Sequence, residues 1–386
     1  MRRNNTSTSS STTNNTHPNA TYSKPQSQYR SPRIAAMISK AARHGLKRLH
    51  TAAHEQRRRH SDEGVQPSPP PLDSPLSDIS DMYSTDNYKP LYLMTMGEEE
   101  ADRIQLKNDL VKLAFGGEFS LPIDFNEIKG GRVLDIGCGP GDWCLNLAEE
   151  FPDLQQVIGV DIVDDMFPDP SYSVPSNCQF MTLNVLNGLH GSFPLESFDC
   201  IHFRFMSLAF TQDQYLTAVQ NCWDLLKPGG YIVLMEMDTK VSSPGPTTEK
   251  LNQHVMDAAH NRGLSPRLAQ ELGTLIPKGA VNRYEKYRSL PIGLWGGRLG
   301  VLFREDLFHG LIHTQVAINE FNASQGKPVL EPHVFENQLE MARREVEQYH
   351  SYSNFHFVVA QKPCSLPSSS SSLSSSPSIN NTPPQR

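Results

Sequence analysis

The 386-residue sequence has no long apolar run, and nothing in it approaches the roughly 18 apolar residues of a membrane-spanning helix. It has no C-x-x-C pair. Its six cysteines (Cys138, Cys144, Cys178, Cys200, Cys222 and Cys364) sit mostly inside apolar strand or helix patterns. They read as reduced, mostly buried thiols of an intracellular protein, and no zinc site is expected. The N-terminus, Met1-Arg2-Arg3-Asn4-Asn5, runs into polar sequence without the apolar stretch of a secretory signal. Acidic residues are scarce in residues 1–60, where Glu55 stands against 12 Lys and Arg; with a total of −7, the remainder carries −18. An acidic core does not suggest direct nucleic-acid binding, and the basic arm is open to anionic partners.

What is present centres on Val133-Leu134-Asp135-Ile136-Gly137-Cys138-Gly139-Pro140-Gly141. A buried strand runs into a turn with glycine at every second position, and a helix is expected from Trp143 to Glu150. Such a turn brings bare backbone and a helix N-terminus against a ligand. A dinucleotide site would need G-x-G-x-x-G, and Asp142 fills the place of its third glycine. A pyrophosphate would meet that carboxylate at the helix start. Asp135, ending the strand, instead suits a ligand that carries an ammonium. An ordinary strand–helix turn is the plain alternative.

In chain order, residues 1–30 are Ser/Thr/Asn-rich and should be disordered. Residues 31–59 could form a basic helix with Ile34, Met37, Ile38, Leu46 and Leu49 as its apolar members, ending in Arg57-Arg58-Arg59. A solvated tail is the plainest reading. A nuclear-import patch and a mitochondrial presequence are the alternatives, and a cytoplasmic or nuclear location, or both, is expected. A Pro/Ser/Asp-rich linker follows, and order is expected from near Tyr88. Residues 98–115 read as a helix: Glu98, Glu99 and Glu100 favour its N-terminal dipole, and Ile104, Val111 and Phe115 form a stripe with Leu110 beside it.

Beyond the glycine turn, Gln156–Asp161 is a second buried strand, and Asp161 lies at the spacing of a ribose-binding carboxylate. A third strand, Cys178–Leu183, ends at Asn184, whose side-chain oxygen could accept from an adenine amine or simply serve a turn. A fourth, Phe198–Phe203, leads to Arg204. A helix over 211–226 ends in Lys227-Pro228-Gly229-Gly230. The fifth strand, Tyr231–Met235, has Glu236 at its end. This alternation predicts a doubly wound α/β fold with its acids and glycines gathered at the carboxyl edge of a parallel sheet.

Val133–Gly141, Asp161, Asn184 and Leu226-Lys227-Pro228-Gly229-Gly230 resemble the successive motifs of class I S-adenosylmethionine (SAM)-dependent methyltransferases over about residues 89–363. The block Glu98-Glu99-Glu100-Ala101-Asp102-Arg103, then Phe115-Gly116-Gly117-x-Phe119-Ser120-x-Pro122-Ile123, resembles the fungal branch that includes the LaeA-like regulators of secondary metabolism. The resemblance implies a seven-stranded, mostly parallel Rossmann-like sheet between disordered tails, with strand 6 at Tyr284–Leu290 and an antiparallel strand 7 at Asn354–Ala360. It implies domain limits of 1–84, 85–364 and 365–386. It also implies SAM as cofactor. Asp135, Gly137, Cys138 and Gly139 would hold its methionine end, Asp161 the ribose, Ile162 an adenine face, and Asn184 and Val185 the adenine edge. Phe203 would supply backbone near the amino acid.

Lys107-Asn108 stands where this branch often has Gln-His, which puts in question any closing role for the N-terminal helix. Residues 333–349 are a helix whose Phe335, Leu339, Ala342 and Val346 read as core. Pro291–Phe303 is a lid, a substrate wall or a plain loop. No catalytic group stands out. His202, Arg204 and Glu236 are candidates at the edge, with His202 read equally as a core histidine and Arg204 and Glu236 as substrate-side polar groups. The expected activity is methyl transfer to a small-molecule or protein acceptor; the alternative is a SAM-binding regulator acting through protein partners. No membrane partner is expected.

Overall fold

A computed structural model of the chain describes residues 91–95, 97–116, 123–168 and 174–364. The expectations for residues 1–84, for order starting at Tyr88, for Phe119, Ser120 and Pro122, and for 365–386 lie outside those residues. Among the described residues, no helix is long and apolar enough to cross a membrane.

Helix α1 (Glu98–Phe115) stops where Gly116 turns left-handed, at φ 75°. β1 (Arg132–Ile136), α2 (Asp142–Glu150), β2 (Gln156–Asp161), β3 (Cys178–Thr182), β4 (Phe198–Arg204), α3 (Gln212–Trp223) and β5 (Leu226–Met237) follow. Then come α4 (Pro246–Asn261), the short α5 (Leu272–Leu275), β6 (Val281–Pro291), α6 (Gly297–His313), α7 (Gln315–Ser324), α8 (Pro332–Gln348) and β7 (Tyr352–Gln361). One seven-stranded sheet has the order β3-β2-β1-β4-β5-β7-β6. β1 to β5 pair in parallel, and β7 is antiparallel to both β5 and β6. The switch point lies between β1 and β4, where the chain leaves one side of the sheet for the other.

The central strands are buried on both faces, so their apolar runs do not alternate with polar residues. On one face Leu134, Ile136 and Ile201 pack under Tyr215, Ala218 and Cys222 of α3. On the other, Val133 meets Trp143, Cys144 and Leu147 of α2. Farther along, α1, α4, α6, α7 and α8 share a core with Phe355 of β7. Phe335, Leu339, Ala342 and Val346 are all in it, as their helical spacing predicts.

Three regions differ from expectation. Lys227-Pro228-Gly229-Gly230 lies inside β5, as an irregularity between the pairs Phe198–Leu226 and Cys200–Tyr231, and α3 ends earlier. Gly230 is favoured there, because a Cβ would lie tightly, 3.0 Å from the Lys227 carbonyl oxygen and 3.1 Å from that of Phe198. Pro291–Phe303 is only briefly a loop, since α6 starts at Gly297. On α1 the buried face runs through Glu100, Arg103, Lys107, Leu110, Val111 and Ala114, so its first half is charged.

Candidate functional site

The turn after β1 is built by glycine. Gly137, Gly139 and Gly141 all have left-handed φ, at 68°, 53° and 78°. A Cβ on Gly137 would fall 2.2 Å from the Met206 sulfur, and one on Gly141 would fall 2.3 Å from the Phe180 ring. The turn is fastened to β2, because the Gly137 and Cys138 N–H groups donate to the Val160 carbonyl at 2.8 and 3.1 Å. The Cys138 thiol is buried and its pKa is pushed well up, burial being the main cause.

Asp161 ends β2 beside this turn. Oδ2 accepts from Gly139 N–H at 2.9 Å, and Oδ1 accepts from Ile162 N–H at 2.8 Å. Burial raises its pKa, and those N–H groups pull it back down. Oδ1 also accepts a longer bond from Val163 N–H at 3.5 Å; a carboxylate has about four acceptor sites, so some capacity remains for a ribose hydroxyl. Asn184 follows β3. Its Oδ1 caps the turn at 185–187 by accepting from Leu186 N–H at 3.0 Å. The expected oxygen acceptor is thus in use, and the open group is Nδ2, a buried donor without a partner among the described residues. The Val185 carbonyl is occupied by Asn221 Nδ2 at 2.8 Å.

Asp135 is not turned to the open edge. Residue 135 faces the α2 side of β1 and pairs in register with His202 of β4. Its Oδ1 lies 2.8 Å from His202 Nδ1, and its Oδ2 accepts from the Cys144 thiol at 3.5 Å. Trp143 closes this pair from above, stacked on the His202 ring at 4.0 Å. Burial lowers the His202 pKa, with Asp135 opposing. Asp135 therefore does not reach an ammonium directly, and His202 is a core histidine rather than a base at the edge. Phe203 points the other way, fully buried against Tyr215, and only its backbone reaches the edge.

Glu236 is also interior. Its Oε1 accepts from Met206 N–H at 2.7 Å and Tyr215 O–H at 3.0 Å, and its Oε2 accepts from Ser207 N–H at 3.1 Å. Burial pushes its pKa up to about 7 against these bonds. It is a clamp on the turn after β4, where Phe205 takes a left-handed φ of 63°, and not a substrate-side group. That turn sets Met206 on Gly137.

Arg204 stays half-buried at the edge, with Nη2 donating to Asn108 Oδ1 at 2.7 Å. α1 thus does reach the site, contrary to the reading of Lys107-Asn108. Ile104 sits 3.8 Å from where a Gly139 Cβ would be, and Gln105 Nε2 donates to Asp142 Oδ1 at 3.0 Å. The signal was available: Asn108 lies in the spacing Ile104, Asn108, Val111, Phe115, a polar residue within an apolar stripe. Behind it Arg103 bonds Glu100 at 2.6 Å and Asp306 of α6 at 2.7 Å, and Lys107 Nζ lies 3.5 Å from Asp306. Tyr92 O–H donates to Glu100. Glu100, in the first turn of α1, is therefore part of a buried ion network.

Residues 133–230 match a family model described as a methyltransferase domain. N-methyltransferase verN of Clonostachys rogersoniana is 30% identical over 42% of this chain and 56% of its own. The secondary metabolism regulator laeA of Coprinopsis cinerea is 32% identical over 39% of this chain and 36% of its own. The chain spans about half the length of the first curated relatives it matches. A solved Haemonchus contortus phosphoethanolamine N-methyltransferase 2 in complex with SAM is similar at 16% identity and a TM-score of 0.36, over 68% of this chain and 57% of that one. The glycine turn at the β1–β4 switch point lies within residues 133–230, the stretch that matches the methyltransferase domain.

Proposed function

We propose that the protein binds SAM at the carboxyl edge of β1, β2 and β4 and transfers its methyl group to a small-molecule or protein acceptor. When bound, SAM supplies an electrophilic methyl group on a sulfonium. The residues present fit it. The observation that carries the reading is the buried, unpartnered Asn184 Nδ2 on the same edge as Asp161. A purine ring nitrogen is an acceptor of the kind this donor lacks, and the remaining acceptor capacity of Asp161 suits a ribose hydroxyl. The protein's own share of the chemistry is positioning, which for in-line transfer supplies much of the rate. The Glu236 clamp fixes the turn after β4, and the bare backbone of Gly137 makes room for Met206 of that turn.

Among the described residues, the two groups weighed as a base, His202 and Glu236, are both enclosed. The likeness to the laeA regulator favours a second reading, a SAM-binding protein that acts mainly through protein partners. Calorimetric titration of SAM into the full chain tests the shared step, and no binding would end both readings. A pull-down followed by labelled-SAM transfer on the captured fraction separates them. Label in a captured molecule supports the enzyme, and capture without label supports the regulator.

A further inference from the structure

Arg204 is the last residue of β4. β4 pairs with β1 so that Phe203 lies opposite Ile136, which sets Arg204 beside Gly137. Its side chain leaves the strand on the face of Asp135 and His202, one step nearer the open edge. Asp135 and His202 bind each other under Trp143. Arg204 is therefore the polar side chain on this face of β1 and β4 that stays half-exposed at the edge.

Its guanidinium carries five N–H donors in a fixed fork that matches a carboxylate. One nitrogen is held by Asn108 Oδ1 at 2.7 Å, and Asn108 is itself buried in α1. The fork is thus pre-oriented, with further donors left over. Asp142, at the start of α2, feels Arg204 as a downward pull on a pKa that burial raises, and it is bonded to Gln105.

The sheet order adds a ruler. Asn184 follows β3 and Asp161 ends β2, and β1 and β4 come next. From β3 to β4 is three strand spacings of about 4.8 Å, or about 14 Å. A nucleoside joined to an amino acid and held at its base by Asn184 extends across β2 and β1 toward β4. Asp135, the group expected to hold the amino-acid end, is occupied internally.

We propose that Arg204 binds the carboxylate at the amino-acid end of SAM, with Asn108 fixing the orientation of its guanidinium. This rests on the reading of the edge as a SAM pocket. The acceptor is then met by other groups, and Arg204 discriminates between cofactors rather than between methyl acceptors.

The test titrates the full chain with SAM and with decarboxylated SAM, which keeps the nucleoside, sulfonium and ammonium and lacks only the carboxylate. Wild type should prefer SAM by about 10- to 100-fold. Arg204→Gln should weaken SAM by that factor and move the decarboxylated compound by less than about threefold, so that the preference collapses. Arg204→Lys should keep part of it. A folded Arg204→Gln that still prefers SAM overturns the assignment, as does an equal loss of both ligands, which would mark a structural role. A folded wild type that binds neither compound overturns the pocket reading itself, before any substitution is made.

Discussion

At Asp161 one carboxylate has two tasks. It closes the turn through Gly139 and Ile162 N–H, and in the proposed complex it would also accept from a ribose. Bonds to a charged group contribute roughly 1.5–3 kcal/mol each. Asp161→Ala should weaken SAM binding by roughly tenfold to a few hundredfold and also lower the melting temperature, because the backbone donors of Gly139, Ile162 and Val163 lose their partner. Asp161→Asn should fall between, since its amide would face the Gly139 donor. Titration calorimetry with melting curves reads both effects, and unchanged affinity in folded Asp161→Ala would move the ribose elsewhere. Glu236 gives a pH prediction. Its pKa is about 7 when folded, against an ordinary 4.5. A raised carboxyl pKa adds stability that is fully present below about 4.5 and is lost as pH climbs through about 7, on the order of 3 kcal/mol. Glu236→Gln resembles the protonated acid. Urea unfolding at pH 5 and pH 7.5 should show wild type losing ground to that variant at the higher pH. A difference that stays constant with pH would mean that Glu236 titrates at its usual value.

At the scale of elements, α3 connects the cap chemistry to the site. Thr211 Oγ1 accepts from Gln214 N–H at 3.2 Å, and the Gln214 side chain accepts from Thr211 N–H at 2.9 Å. One residue on, Tyr215 reaches Glu236. Thr211→Ala should therefore cost about 1 kcal/mol in denaturant unfolding, with SAM affinity little changed. A larger binding loss than stability loss would show that the Tyr215–Glu236 contact depends on this cap. α1 is the element least legible from pattern alone. Its limits, Glu98 to Phe115, follow from the acidic start and from Gly116, and they match the structure at both ends. Its buried face does not follow, because a charged residue is ordinarily assigned to solvent. Glu100, Arg103 and Lys107 are buried because Tyr92 and Asp306, distant in sequence, supply partners.

For the whole molecule, the described residues contain a complete sheet with cores on both faces. The composition of residues 1–84 and 365–386 offers little to bury. A chain of residues 85–364 should therefore bind SAM with the affinity of the full chain in a side-by-side titration. Loss of folding or of affinity would show that a tail contributes to the pocket.

The sequence by itself determined the order and type of the strands β1 to β5, the glycine turn, the acids at strand ends and the α/β class. These are local matters of period, turn geometry and burial, written in neighbouring residues. The expected strands Tyr284–Leu290 and Asn354–Ala360 also lie within β6 and β7. Which way each strand-end side chain is employed was decided only by tertiary structure. Asp135, His202, Arg204 and Glu236 look alike as polar residues near one edge. Register puts Asp135 opposite His202, Tyr215 and a backbone turn consume Glu236, and α1 leaves Arg204 oriented at the edge. Each outcome depends on a partner far away in the chain, because a buried polar group must find its hydrogen bonds wherever the fold brings them.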